Sequence, residues 1–160
     1  MMNKQHTYEV GVTWTGNQGD GTSTYKAYTR DYDIACEGKP VVKGSADPGY
    51  LGDAARHNPE DMLLASLSAC HMLWYLHLCT VSKVVVTAYE DRAEGVLELN
   101  QDGSGQFARV TLRPRVTISA ESDAATAERL HERANAMCFI ARSVNCPVDH
   151  EAETVIAQSQ

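Results

Sequence analysis

The pattern of apolar and polar residues predicts a β hairpin at the start of the chain. Residues 7–14 and 22–34 are rich in Thr, Tyr and Val, which favour strands. The segment 16–21 between them is dominated by Gly, Asn and Asp, as turns are. Residues 37–53 are again rich in Gly and Pro. A connection of this length is expected to be functional or to pack on a partner chain.

The second half of the chain has the same alternation of strands and turns. Residues 83–99 and 106–118 predict two long strands joined by a hairpin turn at 100–105. Pro114 predicts that the second of these is an edge strand or carries a bulge, because proline cannot donate to a ladder. Residues 148–157 predict a final strand. With the two helices described next, the predicted class is α+β, in the order β-β-α-β-β-α-β.

A long helix is predicted from Asn58 to about Leu78 or Cys79. Asn58 is a favourable N-cap, Pro59 suits the first turn, and the acidic residues at 60 and 61 complement the helix dipole. Residues 62–82 contain no charged side chain, so this length could span a bilayer. Ser and His side chains interrupt the segment and no basic flank precedes it, so we expect a buried central helix and no membrane span.

A second helix is predicted over residues 124–137. Ser122 is the expected N-cap and Asp123 lies in the first turn. Residues 138–144 either continue this helix or form a separate short one, and Pro147 ends the helical region.

Composition and charge narrow the functional classes. The chain has 160 residues, which fits one domain over residues 1–160 or one half of an intertwined dimer. Its net charge is −7 without clustered basic residues, so we expect no nucleic-acid partner. The N-terminal residues include no apolar signal segment. Five cysteines, an odd number, indicate free thiols in a reducing compartment, so a cytoplasmic location is expected.

Cys70 is the first candidate for chemistry. Helical spacing predicts that it shares a face with the apolar or aromatic residues Leu63, Leu67, Trp74 and with His77. Such a thiol is either a small core hydrophobe or a reactive group whose thiolate is stabilised by another element.

Two neighbours along the same helix cannot activate this thiol directly. Adjacent helical residues point about 100° apart, so His71 does not form a dyad with Cys70. Glu60 lies about 15 Å away along the axis. If Glu60 acts near a catalytic cysteine, we expect that cysteine to belong to a second subunit.

Cys138 is the second candidate, near the end of the second helical region. Two helices in so small a chain are expected to pack together, so Cys70 and Cys138 could face one another. The remaining cysteines are weaker candidates: Cys36, Cys79 and Cys146. A metal site would need the histidines 71, 77, 131 and 150, but no Cys-x-x-Cys or His-x-x-x-His spacing occurs, and neither metal nor cofactor is predicted.

Two motifs resemble those of the OsmC/Ohr family. Residues 58–71 (NPEDMLLASLSACH) are similar to the family helix that leads from Asn-Pro-Glu to the peroxidatic cysteine. Residues 138–145 (CFIARSVN) resemble the segment that carries the resolving cysteine. Trp14-Thr15-Gly16 and Gly21-Thr22 in the first hairpin are similar too. The resemblance covers nearly the whole chain and implies an intertwined homodimer with long central helices wrapped by sheets.

The resemblance also implies a function and a role for each site residue. A thiol peroxidase would reduce organic hydroperoxides through a Cys70 sulfenic acid and a Cys70–Cys138 disulfide, which a dithiol such as a lipoylated protein would reduce. Glu60 matches the glutamate that steers an arginine towards the thiol. The family's best-studied branch has that arginine in the first hairpin loop, where this chain has no basic residue. Arg30 is the predicted substitute and Arg56 the next candidate.

Two other functions on the same scaffold stay open. The chain could bind an apolar ligand without turnover, as the missing loop arginine suggests, or sense redox state through the Cys70–Cys138 disulfide. In the peroxidase, we expect an apolar pocket around Met72, Trp74, Tyr75 and Phe139.

Overall fold

The computed structural model describes residues 4–158, which form two compact units, one up to Met62 and one from Leu63 onward. In the first unit, β1 (Gly11–Trp14), β2 (Tyr32–Ala35) and β3 (Val42–Gly44) form an antiparallel sheet in that order. The predicted hairpin is confirmed by the pairing of β1 with β2. The prediction of one domain over residues 1–160 stays a prediction, and residues 1–3 and 159–160 lie outside the described residues.

The second strand of this hairpin begins at Tyr32, ten residues later than predicted. Local hydrogen bonds explain the difference, because they hold the chain in turns. The Asn17 Oδ1 accepts from the backbone N–H groups of Gly19 at 2.9 Å and Gly21 at 3.1 Å. Gly21 has a φ of 56°, which a strand does not allow. The β-favouring composition of residues 22–31 is therefore overridden by turn chemistry.

Helix α1 runs from Pro59 to Val81, slightly beyond its predicted end. Its N-terminus is capped reciprocally: Asp61 N–H donates to Asn58 Oδ1 at 2.8 Å, and Asn58 N–H to Asp61 Oδ2 at 3.4 Å. Among the helices described between residues 4 and 158, α1 alone is long and apolar enough to cross a membrane by length and composition. A core helix of a globular domain meets the same criterion.

The second unit contains six strands in two sheets. Their ranges are β4 Val86–Asp91, β5 Glu94–Leu99, β6 Gly105–Leu112, β7 Pro114–Ile118, β8 Val148–His150 and β9 Glu153–Ile156. One sheet has the order β4-β7-β9 and the other β5-β6-β8. The hairpin predicted at 100–105 is confirmed by the antiparallel β5–β6 pair.

Each long strand predicted in this region is divided once, and the two halves join different sheets. The divisions fall after Asp91, at Arg113 and after His150. Asp91 forms hydrogen bonds at these divisions. Its Oδ1 accepts from the Arg113 N–H at 2.7 Å, and its Oδ2 accepts from the Ser68 hydroxyl of α1. The Arg113 guanidinium reaches Glu151 at 3.0 Å. Periodicity alone cannot place such a break, because both halves keep the same alternation.

Pro114 does not mark an edge strand, so the edge alternative of that prediction is wrong. The other alternative, a bulge in the predicted strand 106–118, agrees with the register shift in the β5–β6 pairing between Phe107 and Arg109. β7 lies in the centre of its sheet, between the antiparallel β4 and the parallel β9. Pro114 is the first residue of β7 and is paired with Asp91, the last residue of β4. Proline is tolerated at a strand start, where its missing N–H interrupts no ladder.

Helix α2 runs from Ala124 to Met137, as predicted, but its N-cap is Asp123. The Asp123 carboxylate accepts from the Thr126 N–H at 2.8 Å. The predicted cap, Ser122, instead accepts from the Val85 N–H at 2.9 Å and so ties α2 to the start of β4. Cys138 ends the helix in an extended conformation, and a separate 3-10 turn follows at Ala141–Ser143.

The two helices pack together over one sheet of the second unit. Tyr75, Leu78 and Cys79 of α1 contribute to a buried cluster with three residues of α2, namely Ala127, Leu130 and Ala134, and with Val116 and Ile118 of β7. A second cluster joins Leu67 to the other sheet through Val110, Leu112 and Val148. This packing fixes α1 at the centre of the second unit.

Candidate active site

Helix α1 presents two different faces within the second unit. The core face consists of buried residues: Leu67, His71, Tyr75, Leu78 and Cys79. The groove face consists of residues that border an open groove: Ser66, Ala69, Cys70, Leu73, Trp74 and His77. The predicted common face is therefore divided, with Leu67 on the core face and Cys70 on the groove face. One side of α1 packs in the core and the adjacent side borders the groove, so residues only 60–100° apart around the helix lie in different environments.

The groove has a volume of about 590 Å³ and is almost entirely apolar. The groove face forms one wall, and Phe139 contributes from beyond α2. The Trp74 ring meets Phe139 edge-to-face at 5.5 Å and His77 at 5.9 Å. Two of the predicted pocket residues, Trp74 and Phe139, are thus confirmed as lining residues. Tyr75 is not, because it is fully buried on the core face, and Met72 is not among the lining residues.

Cys70 and Cys138 lie side by side although they come from different helices. Cys70 is half-buried at the groove, whereas Cys138 is 1% exposed. Burial, followed by the neighbouring Cys70 thiol, raises the pKa of Cys138 to about 11. The Ala141 N–H, which donates to the Cys138 Sγ at 3.3 Å, acts in the opposite direction. The two sulfurs therefore differ in environment: one is accessible from the groove and the other is held protonated behind it.

The groove contains no charge that would favour a thiolate at Cys70. No lysine or arginine occurs among the described residues that line it. His77 is the one ionisable lining residue apart from the cysteine. Any cation that stabilises the thiolate must therefore come from outside this wall.

Arg30, the predicted activating residue, lies in the first unit and is held by its own loop. Its guanidinium donates to the backbone carbonyls of Tyr25 and Tyr28, each at 2.6 Å. It also lies between the two tyrosine rings, at 4.3 and 4.2 Å from their centroids. These contacts preorganise the guanidinium, and its role at Cys70 stays a prediction.

Glu60 and Arg56 also belong to the first unit. Glu60 is half-buried in the first turn of α1. The pKa of the Tyr32 hydroxyl is raised first by the burial of Tyr32 and second by the negative charge of Glu60. The Arg56 guanidinium pairs with Asp31 at 3.7 Å and with Asp53 at 3.6 Å. These carboxylates neutralise Arg56, which makes it a weaker candidate for activating a thiol than Arg30.

Sequence reasoning missed a pair of buried histidines on the core side of Cys70. His71 of α1 and His131 of α2 are fully buried, and His71 Nε2 lies 3.0 Å from His131 Nδ1. Both follow a buried apolar residue by four positions, Leu67 and Ala127, and this spacing could have indicated their burial. His150 lies nearby, but no three His, Cys, Asp or Glu between residues 4 and 158 are arranged to hold a metal ion.

Comparison with known proteins assigns the chain to a family. The family model described as OsmC-like protein matches residues 52–153, which include both helices, Cys70 and Cys138. The chain belongs to the OsmC-like family. This OsmC-like protein is 30% identical to an OsmC-like protein of unknown function from Vibrio cholerae, with a TM-score of 0.84 over 92% of this chain and 99% of that one.

Two further relatives extend the comparison. The uncharacterized protein YmaD of Bacillus subtilis is 21% identical over 94% of this chain and 95% of its own. An organic hydroperoxide resistance protein from Elizabethkingia anophelis is 16% identical, with a TM-score of 0.67 over 96% of this chain and all of that one, 100%. At this identity the likeness establishes the α+β fold, and this OsmC-like protein shares it with hydroperoxide resistance proteins.

Proposed function

We propose that this OsmC-like protein is a thiol peroxidase that reduces organic hydroperoxides with Cys70 and Cys138. The observation that carries the proposal is the adjacency of an accessible thiol and a buried one at the wall of an apolar groove. The groove would accept the organic part of a hydroperoxide and disfavour the small polar hydrogen peroxide. The hydroperoxide resistance proteins that share the fold support the same assignment.

The different environments of the two sulfurs support a different role for each. Cys70 borders the groove, so its thiolate can attack the distal oxygen of ROOH. The O–O bond breaks, Cys70 becomes a sulfenic acid, and the departing alkoxide takes a proton to leave as ROH. Cys138 is buried with a raised pKa, so it stays a thiol and does not compete for peroxide.

Disulfide formation follows in the second step. The Cys138 sulfur attacks the Cys70 sulfur, the S–O bond breaks as the S–S bond forms, and the Cys138 proton leaves with the hydroxide as water. A dithiol such as a lipoylated protein then supplies two electrons and two protons, which return both cysteines to thiols. The short path between the two sulfurs would protect the sulfenic acid from further oxidation.

The same proposal includes a homodimer that completes the site. The groove face and its rim leave large apolar side chains open, among them Leu73 at 63% and Phe139 at 65% exposure. A second copy of the chain would cover such a surface. Because Glu60 precedes Cys70 by about 15 Å along α1, we propose that Glu60 and Arg30 act on the thiol of the partner subunit. Sedimentation should give twice the 17.5 kDa chain mass.

Thiol titration tests the peroxidase. Substoichiometric cumene hydroperoxide should remove two thiols per peroxide consumed and leave a Cys70–Cys138 disulfide in peptide maps. Cys70→Ser should abolish thiol loss, whereas Cys138→Ser should stop the reaction at a Cys70 sulfenic acid that dimedone traps. Arg30→Gln should slow the first step. Unchanged thiols in the unmodified protein would refute the proposal.

The uncharged groove favours one alternative, a binding protein for an apolar ligand without turnover. An apolar cavity without a lysine or arginine is well suited to hold such a ligand. In that case a fluorescent fatty acid should bind while both thiols survive cumene hydroperoxide. A redox sensor would instead form the disulfide once and change its affinity for a partner, without repeated turnover in the presence of a dithiol.

A further inference from the structure

A buried imidazole pair connects the two helices that position the reactive sulfurs. His71 Nε2 of α1 and His131 Nδ1 of α2 are 3.0 Å apart, and the rings are nearly parallel, with an angle of 4° between them. The Tyr75 ring stacks on His131 at 3.9 Å between centroids. Both histidines are fully buried, so the contact is shielded from competing water.

This contact requires that only one of the two facing nitrogens, His71 Nε2 and His131 Nδ1, carries a proton. One ring nitrogen must donate and the other must accept, so a proton on both would replace the hydrogen bond with repulsion. Burial, with the charges of neighbouring histidines, lowers the pKa of His71 to about 4 and that of His131 to about 3. The outer nitrogens, His71 Nδ1 and His131 Nε2, have no partner among the described residues. The mutual hydrogen bond is therefore the one polar contact that each ring makes.

The pair is also the directional contact between the helices. Around it α1 and α2 meet through Tyr75, Leu78, Ala127 and Leu130. Among residues 4–158, no other side-chain hydrogen bond joins α1 to α2. A hydrogen bond limits both sliding and rotation, because it weakens steeply when its angle or length changes.

The positions of the two histidines relate this contact to the sulfurs. His71 directly follows Cys70 on α1. His131 precedes Cys138 by seven residues, about two turns of α2. A shift of one helix along the other would therefore displace one thiol relative to the other.

We propose that His71 and His131 are positioning residues whose hydrogen bond sets the alignment of Cys70 with Cys138 for disulfide formation. The inference depends on the proposed function for its biological meaning, since the disulfide is the second step of that reaction. Neither histidine is a catalytic residue here: His71 lies on the core face, while Cys70 lies on the groove face. The pair acts through the helices that it joins.

The test measures how strongly the protein favours the disulfide, without any peroxide. The protein is equilibrated with mixtures of oxidised and reduced dithiothreitol, and peptide mapping quantifies the Cys70–Cys138 disulfide. Two electrons and two protons pass from the cysteines to the oxidised reagent. The equilibrium constant reports the effective concentration of one thiol at the other.

Matched variants separate the hydrogen bond from the shape of the ring. His71→Gln retains a polar group near Nε2, and His71→Met has a similar length without one. His131→Asn and His131→Leu form a second pair at Nδ1. Glu132→Gln, at an exposed position next to His131, is the control. We expect the apolar variants to lower the equilibrium constant about tenfold or more, and the polar variants to stay within about threefold of the unmodified protein.

Several results would overturn the inference. These are an unchanged constant in the folded apolar variants, an equal loss in the polar and apolar members of a pair, or failure of both polar variants to fold. The absence of the disulfide in the unmodified protein would overturn it as well. Trapping of the Cys70 sulfenic acid in Cys138→Ser with cumene hydroperoxide tests the peroxidase separately. If no sulfenic acid is trapped but the histidine variants still show the expected order of equilibrium constants, the proposed function is refuted and the inference stands.

Discussion

The core face and the groove face of α1 carry nearly the same residue types in opposite environments. Each has a cysteine, a histidine and large apolar residues: Cys79, His71 and Tyr75 on one, and Cys70, His77 and Trp74 on the other. On the core face, burial raises the pKa of both Cys79 and Tyr75 and lowers that of His71. A side chain's chemistry here depends on the face it occupies.

The most instructive neighbours are Cys70 and His71. Adjacent along the chain, they lie about 100° apart on the helix, so the thiol borders the groove while the imidazole is sealed in the core. The histidine next to Cys70 is therefore not placed to act as a base for its thiol. It pairs with a second helix instead, and an influence on the thiol passes through the packing of α1 against α2.

Alkylation should show the largest difference between the two faces. Under native conditions we expect iodoacetamide to modify Cys70 at least about a thousandfold faster than Cys79, since Cys79 is 1% exposed and requires a large opening of the core. Mass spectrometry of quenched samples gives both rates. Comparable rates, in a protein that is still folded, would contradict the division into two faces.

Truncation of a large side chain should lower the free energy of unfolding by several kcal/mol more on the core face than on the groove face. Tyr75→Ala leaves a cavity in the core cluster and should lower the free energy of unfolding by about 3–5 kcal/mol. Leu73→Ala on the groove face should cost less than about 1 kcal/mol in a single chain, because the side chain is already exposed. Urea titrations measure both. A large cost at Leu73 that depends on protein concentration would support the proposed dimer.

The buried histidine of the core face should couple the stability of the protein to pH. The pKa of His71 is lowered to about 4 from 6.5, so unfolding lets this ring bind a proton in acid. Its stabilising contribution is complete above about pH 6.5 and is lost as the pH falls towards 4, by about 1.4 kcal/mol per pH unit.

His71→Phe should therefore flatten the acid limb of a plot of unfolding free energy against pH. His77→Phe, at an exposed position on the groove face, is the matched control for the loss of an imidazole. Urea titrations at a series of pH values provide the comparison. An equal slope in the unmodified protein and in His71→Phe would show that this ring titrates alike in the folded and unfolded chain.

The two serines of α1, Ser68 and Ser66, should give the smallest difference in stability when each is replaced by alanine. The Ser68 hydroxyl donates to Asp91, so Ser68→Ala should cost about 1–2 kcal/mol by leaving that half-buried carboxylate short of a donor. Ser66→Ala at the groove should change stability by less than about 0.5 kcal/mol. Thermal unfolding distinguishes the two. Equal shifts of the midpoint would mean that Asp91 recovers its hydrogen bond from water.

Local signals were sufficient for the helices but not for the strands. Asn58 and Pro59 mark the start of α1 through a cap that depends only on neighbouring residues. The strand breaks at Arg113 and after His150 were missed because they involve contacts of Arg113 with Asp91 and Glu151, which lie 22 and 38 residues away from it. Asp123 replaces Ser122 as the cap of α2 because the Ser122 hydroxyl is occupied by Val85.

In the candidate site, too, the sequence predicted only the features that depend on residues close along the chain. Two motifs identified the cysteines at 70 and 138 and the family to which the chain belongs. The groove could not be anticipated in the same way, since Tyr75 and Trp74 are adjacent aromatic residues and only packing decides which one faces it. The positions of Arg30 and Glu60 relative to the thiol stay predictions.

The sequence by itself determined the α+β class, the start of the first helix and the two cysteines, because caps, turns and motifs are read from residues close along the chain. Only the tertiary structure decided which face of α1 is buried, which thiol is accessible, and that His71 meets His131 across 60 residues. The physical reason is that burial, pKa and side-chain pairing depend on neighbours in space, and helical periodicity alone does not specify which side of a helix faces water.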